Sequence, residues 1–397
     1  MLSGLVDTFI FMTSFLVVLS FLVYFHELGH YSVARFFNVA VERFSIGFGK
    51  PIVQWTAKSG TKWSIGRIPL GGFVKFLGDA SGASNPDAAE LEKLKSKVRE
   101  EGDVPLDQIF HFKPVWQRML VVLAGPVFNF ILAIVIFAGM ALFLGSRDTD
   151  SVVGKLTPNS PAVEAGFQIG DKVLTMDGYD VSKFTNMLSY VSLRAETSID
   201  TVVLRDGKRV EINVTPERVV EKDFIGGRSS RGKIGLGLPD SAVVEAEDYN
   251  LISALGFGAK ETGKIVSMTG HYIGRIFTGK EDGKQLGSIV KIATITGKSA
   301  VDAANADVSF KDRMRMIFLR LLSLAASLSI ALGFANLMPI PVLDGGHLVY
   351  YGYEAVAGRP LSQKKQEIGF RFGFAVLLTL FVILTVNDIG YVASIFS

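Results

Sequence analysis

Two histidines and a glutamate near the start of the chain form the arrangement best suited to chemistry. His26 and His30 are four residues apart, so on a helix both imidazoles point from one face and can reach one metal ion. Glu27 follows the first histidine, where it can act as general base beside a zinc ion. With 5 His and 38 acidic residues in 397, chance predicts roughly 0.006 such patterns. The motif alone leaves open the alternative of two hydrogen-bonded structural histidines.

A carboxylate far along the chain could complete a metal site. Asp344 follows Pro339 and Pro341, which interrupt an apolar segment. Irregular backbone at membrane depth is tolerated only where protein or a cavity surrounds it, so this break indicates a site. Two histidines, one aspartate and an open position are typical of catalytic zinc. Asp344 could instead cap the next helix, and His347 is an alternative ligand that we rank below Asp344.

Composition limits the other classes of site. The chain has no cysteine, which excludes disulfides, thiolate catalysis and cysteine-rich zinc sites, so histidine and carboxylate must hold any metal. Its 41 basic and 38 acidic residues give a net charge of only +3, without a basic run or interleaved aromatic residues. We therefore expect no nucleic-acid partner.

The elements that must position these residues are membrane helices. Hydrophobic residues make up 49% of the chain. Residues 5–25 carry one charge in 21 positions, and uncharged runs recur at 119–145, 321–343 and 372–387. A cleaved signal peptide is a poor alternative for the first run, since no basic region precedes it. The sequence thus predicts about four transmembrane helices, with membrane lipid as a partner.

Asn129 lies inside the second apolar run, shortly after Gly125 and Pro126. An unpaired amide is costly in lipid, so its side chain should face protein or substrate. It could join two helices, or it could orient a substrate. Both interpretations stay open.

Between the first two spans, residues 44–79 alternate as β-hairpins do. Such strands could lie against the membrane and offer an edge to an extended peptide, or simply pack on their own protein. Residues 80–110 are rich in charged residues and predict a solvated linker with a short helix. Leu251 to Phe277 has apolar positions at helical spacing, which predicts an interfacial amphipathic helix.

Residues 151–218 resemble a PDZ domain of bacterial envelope proteases. The resemblance rests on Asn159–Gly166 (NSPAVEAG), on Gly170-Asp171, and on a strand pair across residues 205–208. PDZ domains bind peptide ends by strand addition. We therefore expect peptide C-termini or unfolded segments as partners here.

Basic residues near the span ends predict the orientation. The first 34 residues contain no Lys or Arg, whereas basic residues flank the first and last loops: Arg35, Arg43, Lys113, Arg118, Arg359, Lys364, Lys365 and Arg371. Both loops should be cytoplasmic, which leaves both termini and the PDZ-like domain outside. Four basic residues between Lys311 and Arg320 depart from this rule, but they follow a long translocated domain whose charges count for little.

Taken together, these motifs resemble the site-2 protease family of intramembrane zinc metalloproteases, of the bacterial RseP type. The resemblance covers essentially the whole chain. It implies that His26, His30 and Asp344 bind Zn2+, that Glu27 is the catalytic base, and that Asn129 and Asn336 hold the substrate strand or the oxyanion. RseP proteins carry two tandem PDZ domains, whereas one is visible here.

The expected fold is an α-helical integral membrane protein with a membrane-associated β-hairpin region and an inserted α+β PDZ domain. In chain order we expect a first membrane helix with the zinc motif (1–40), a β-loop and cytoplasmic linker (41–115), a second membrane helix (116–147), a PDZ domain (148–220), a periplasmic amphipathic helical region (221–315), a third membrane helix with Asp344 (316–355), and a fourth (366–397).

The expected function is regulated intramembrane proteolysis in the bacterial inner membrane. Single-pass membrane proteins, such as anti-sigma factors, would be cut after a first outer-side cleavage. A catalytically idle PDZ-bearing scaffold and a metal transporter are the alternatives. The presence of Glu27 separates a protease from the scaffold, because metal binding alone does not require an acid beside the first histidine. The PDZ-like domain and the Pro339–Pro341 interruption argue against the transporter.

Overall fold

The computed structural model describes residues 2–77, 92–93, 95–96, 105–222, 228–281, 283 and 286–396. The predicted linker at 80–110 lies outside the described residues except for 92–93, 95–96 and 105–110. The helices, in chain order, are α1 (Leu2–Phe36), α2 (Val115–Leu144), α3 (Pro161–Ala165), α4 (Phe184–Ser192), α5 (Leu251–Phe277), α6 (Ile289–Ala304), α7 (Phe310–Asn336), α8 (Asp344–Ala357) and α9 (Gln363–Phe396).

The strands form small antiparallel sheets. In chain order they are β1 (Val41–Thr56), β2 (Lys62–Phe76), β3 (Ser146–Asp148), β4 (Lys155–Leu156), β5 (Lys172–Met176), β6 (Tyr179–Asp180), β7 (Ile199–Arg205), β8 (Lys208–Val214), β9 (Glu217–Lys222), β10 (Arg228–Lys233), β11 (Leu236–Gly237) and β12 (Glu245–Glu247). The largest sheet has the order β6-β5-β7-β8.

Among the described residues, four helices are long and apolar enough to cross a membrane, which agrees with the predicted number of spans. They cover Leu5–Phe36, Val115–Leu144, Phe310–Asn336 and Gln363–Ile395. The third ends at Asn336, and Asp344 begins a separate helix. This break falls at Pro339 and Pro341, because proline cannot donate the hydrogen bond that would continue the helix.

The chain divides into two compact units. The first contains Met1–Ile136 and Ser288–Thr385, and the second contains Phe137–Gly287 and Val386–Ser397. Helices α2 and α9 therefore contribute residues to both.

The first unit has α1 at its centre. One face of α1 is buried, including Phe15, Val18 and Leu22. Helix α6 packs against α1 and α7. Near the end of α1, Ala34 belongs to an apolar cluster with Val121 of α2 and Tyr351 of α8. This cluster joins the three helices that carry the two histidines, Asn129 and Asp344.

Strands β1 and β2 are bent, so each pairs with the other twice. The first part of β1 contacts β2 on both edges: Ile46 is opposite both Gly72 and Ile65. The outer half of β1 then pairs again with the first half of β2, for example Trp55 with Trp63. Among the described residues this leaves two outer edges, the end of β1 and residues 72–76 of β2. We call the latter the Gly72–Phe76 edge.

The second unit contains the segment that resembles a PDZ domain. A core including Val173, Ile199 and Val203 lies between the four-stranded sheet and α4. Asp171 is buried and forms an ion pair with Arg205, with 2.7 Å between Oδ2 and Nη2. Burial opposes ionisation of this carboxyl, but hydrogen bonds from Arg205 and from the Gln168 backbone keep its pKa below the usual range. The PDZ assignment itself stays a prediction.

Residues 221–247 lie in the region expected to be helical, and their described part contains short strands and loops. The β9–β10 pair places Arg231 and Lys233 on the strand opposite Glu221, and both contact its carboxylate. Cross-strand pairs of opposite charge stabilise a ribbon. Hydrogen bonds from Lys233 and Arg231 lower the pKa of Glu221 to about 2. The long helix α5 begins only at Leu251, after an Asn250–Ser253 capping box.

Candidate active site

His26, His30 and Asp344 converge in the first unit, although 318 residues separate the first from the last. The two histidines lie one turn apart on α1, and Asp344 is the first residue of α8. Asp344 Oδ2 is 3.2 Å from His26 Nε2 and 3.5 Å from His30 Nε2. The two Nε2 atoms are 3.3 Å apart. The structure therefore brings together the three predicted ligands.

These three atoms fit a zinc ion. Zinc bonds of about 2.0 Å in a tetrahedron give ligand–ligand distances of about 3.3 Å, close to the three distances observed. Asp344 Oδ2 is buried and has no hydrogen-bond partner in the described part of the chain. A buried carboxylate oxygen without a hydrogen bond is costly. A cation between the three atoms would remove that cost, so the residues present suit the metal.

Helix α2 holds the outer nitrogen of each histidine. His30 Nδ1 is 2.9 Å from the carbonyl oxygen of Val121. Because a carbonyl only accepts, His30 must donate from Nδ1, which leaves a lone pair on Nε2 in the neutral ring. His26 Nδ1 is 3.0 Å from the side-chain amide of Asn129. Such outer hydrogen bonds fix the ring orientation of metal-binding histidines.

Two orientations of the Asn129 amide fit this contact, and only one suits a metal ligand. In the recorded orientation Nδ2 faces His26, and Oδ1 is buried without a hydrogen bond. Rotating the amide by half a turn lets Oδ1 accept the proton of His26 Nδ1. The rotated form satisfies the oxygen and leaves the lone pair of His26 Nε2 facing Asp344.

Gly125 makes room for the imidazole rings. A Cβ atom at this position would lie 2.3 Å from His30 Nε2 and 2.8 Å from His26 Cε1. No larger residue fits without moving the rings. The sequence alone did not indicate these contacts of Gly125 and Val121 with the imidazole rings. The sequence signal that could have revealed these contacts is a spacing of four residues. It places Val121, Gly125 and Asn129 on one face of α2.

Glu27 lies between the two histidines and β2. Its carboxyl group is close enough to His26, His30 and Asp344 for electrostatic interaction and lies next to the backbone of Val74. A Cβ atom at Gly72 would be 3.1 Å from Glu27 Cγ. The Gly72–Phe76 edge is therefore the part of the sheet that adjoins the predicted base.

Asn336, the other predicted amide, ends α7 beside the same histidine. Its Nδ2 lies 3.5 Å from His26 Nε2, on the inner side of the ring. Asn129 contacts the outer side. The two asparagines therefore meet His26 from opposite sides. His347 is not in the group of three potential ligands found among the described residues, and its ring instead lies near Tyr350.

Comparisons with known proteins identify the family of this chain. Residues 14–380 match peptidase family M50. The chain is 41% identical to the metalloprotease MmpA of Caulobacter vibrioides, over 96% of each chain. It is 37% identical to a Rhizobium meliloti protein whose name includes "zinc metalloprotease", over 95% of this chain and 96% of that one. A Rickettsia conorii protein with the same words in its name is 31% identical over 94% and 97%. The chain therefore belongs to peptidase family M50, the site-2 protease family, and is a zinc-dependent metalloprotease of the membrane.

Proposed function

We propose that this protein cuts single-pass membrane proteins within their transmembrane segments. The convergence of His26, His30 and Asp344, with Glu27 beside them, carries this proposal. His26 and His30 lie within a membrane-length helix, where ionisable residues are costly and are functional candidates by default. Asp344 follows the irregular segment after the third such helix. Membership of a metalloprotease family argues against the idle scaffold and the metal transporter.

In this proposal His26, His30 and Asp344 hold the zinc ion. Val121 and Asn129 orient the two imidazoles, so Asn129 acts on a ligand rather than on the substrate. When bound, zinc supplies a Lewis acid and makes water easier to deprotonate. Glu27 accepts a proton from the attacking water and returns it to the leaving amine. Asn336, which reaches the inner side of His26, can donate to the substrate carbonyl or to the developing oxyanion.

The Gly72–Phe76 edge is the proposed docking site for the substrate. A transmembrane helix hides its peptide bonds in internal hydrogen bonds, so it must unwind before it can be cut. An extended segment can pair with an open strand edge, whose backbone groups then replace the lost helical bonds. The closeness of Gly72 and Val74 to Glu27 would hold the paired strand beside the base.

Several finer features of the proposal follow from the sequence resemblance. The protein would reside in the bacterial inner membrane, with the PDZ-like segment in the periplasm. That segment would bind peptide C-termini or unfolded segments. Substrates such as anti-sigma factors would be cut after a first outer-side cleavage.

Replacing Glu27 with Gln tests the base. The variant should keep one zinc ion per chain, because no ligand changes, but should lose about 10²-fold or more in cleavage rate, since the proton acceptor is gone. Zinc content by elemental analysis and cleavage of a single-pass substrate in vesicles are the two measurements. Asp7→Asn changes a carboxylate elsewhere on α1 and is the matched control. Undiminished cleavage by the Glu27→Gln variant would contradict the assignment.

A further inference from the structure

A buried ion pair joins the two helices that support the site. Arg118 lies in the first turn of α2, and Glu354 lies near the end of α8. The contact is bidentate, with 3.1 Å between Nη1 and Oε2 and 2.5 Å between Nη2 and Oε1. The side chains are 8% and 14% exposed. Water therefore screens this pair only weakly.

Two further contacts fix the Arg118 guanidinium. Its Nε donates to the carbonyl oxygen of Lys113, at 3.0 Å. Its central carbon lies 4.9 Å from the ring centre of Tyr351, one turn before Glu354 on α8. Tyr351 is almost completely buried in the cluster shared with α1 and α2. The guanidinium thus holds the end of α8 at two points.

The same two helices determine where the ligand atoms lie. Helix α2 holds the histidines through Val121 and Asn129. Helix α8 carries Asp344 at its first position, after an irregular segment. Asp344 and Glu354 are ten residues apart, or about 15 Å along the helix. A tilt of about four degrees about the Glu354 end would therefore move Asp344 by about 1 Å.

We propose that the Arg118–Glu354 pair positions Asp344 at ligand distance from His26 and His30. Metal sites tolerate ligand displacements of only about 0.2 Å, so this tilt must be prevented. A bidentate arginine–carboxylate pair fixes both distance and direction. A buried ion pair is by itself weak evidence for a contribution to stability. A role in positioning Asp344 would account for two charged side chains being buried between α2 and α8. The inference rests on the proposed role of Asp344 as ligand.

The test measures metal binding rather than cleavage. The full-length protein in detergent is titrated with Zn2+ against a competing chelator, and the absorption spectrum of the Co2+ form reports ligand geometry. We expect Arg118→Ala and Glu354→Gln each to weaken zinc binding by about 10- to 100-fold, the usual effect of groups that orient ligands. Both should alter the cobalt spectrum. The exchanged pair Arg118→Glu with Glu354→Arg should recover part of the affinity.

Two milder variants keep the test decisive if the first do not fold. Arg118→Lys keeps the charge but loses the planar fork, and Glu354→Asp shortens the reach. Each should weaken zinc binding and shift the cobalt spectrum. Glu281→Gln breaks a comparably buried pair with Arg275 in the second unit and should leave both readouts unchanged.

Asp344→Asn separates this inference from the proposed function. Zinc affinity that is unchanged in Asp344→Asn would overturn the ligand assignment and with it the positioning role. Affinity that falls in Asp344→Asn but is unchanged in folded Arg118 and Glu354 variants would overturn only the positioning role.

Discussion

At the scale of single residues, the site depends on which nitrogen of each histidine carries a proton. The Val121 carbonyl determines this for His30, since it can only accept. For His26 the determinant is Asn129, whose buried oxygen lacks a partner unless it faces the imidazole. Asn129 therefore has a role that its residue type did not reveal. The sequence left open whether Asn129 joins two helices or orients a substrate. It did not indicate the contact with His26, because amide and imidazole are 103 residues apart.

Substitutions at Asn129 distinguish the two amide orientations. Asn129→Asp keeps an acceptor for His26 Nδ1–H, so zinc binding should stay near the wild-type value. Asn129→Leu removes the acceptor and should weaken zinc binding by about 10-fold or more. Chelator competition measures both. Weak binding by Asn129→Asp together with normal binding by Asn129→Leu would contradict an accepting oxygen.

At the scale of elements, apolar length and proline placement predicted most of the membrane helices. The four apolar runs correspond to α1, α2, α7 and α9, and the α7–α8 break falls at Pro339 and Pro341. The double pairing of β1 and β2 was not predictable. Alternating apolar and polar side chains indicate that a segment is extended. They do not indicate where a long strand bends, or that β1 and β2 pair with each other in two places. The Gly72–Phe76 edge emerges only from that bend.

Helix α5 carries a prediction of its own, because its start packs against the end of a membrane span. Ala254 is fully buried in a cluster with Ala138 and Ala141 of α2. In the same first turn, Leu251 and Ile252 are 64% and 83% exposed. Apolar side chains at the depth of a span end should contact lipid. We therefore expect the first turn of α5 to insert into the membrane interface.

Single-cysteine labelling can test this, since the chain has no cysteine of its own. A fluorophore on Ile252→Cys in lipid vesicles should be quenched by lipids that carry a quencher in the upper acyl chain. The same fluorophore on Lys260→Cys is the control, because Lys260 lines a polar cleft with Asp180 and Glu247. Equal, weak quenching at both positions would mean that the helix start faces water.

At the scale of the whole molecule, the proposed metal centre connects segments from both ends of the chain. His26 and His30 lie near the start, Asn129 in the first third, and Asp344 near the end. The sequence supplied the ligands because their chemistry is specific. It did not identify the groups that position these ligands. Such groups act through where they lie, as proposed here for Val121, Gly125 and the Arg118–Glu354 pair. An ordinary carbonyl, a glycine or an ion pair has no composition signal that marks it as part of a site.

This arrangement predicts that zinc stabilises the first unit as a whole. All 3 tryptophans, Trp55, Trp63 and Trp116, belong to that unit, so their fluorescence follows its unfolding. A ligand at 100 times its dissociation constant adds about 2.7 kcal/mol to the folded state, and each kcal/mol shifts the melting temperature by about 2–4 °C in a unit of this size. Chelation should therefore lower the fluorescence-monitored midpoint by about 5–10 °C. In Asp344→Asn the same treatment should have much less effect, because one ligand is already lost. A wild-type midpoint that does not respond to chelation would mean that the three segments are held together without the metal.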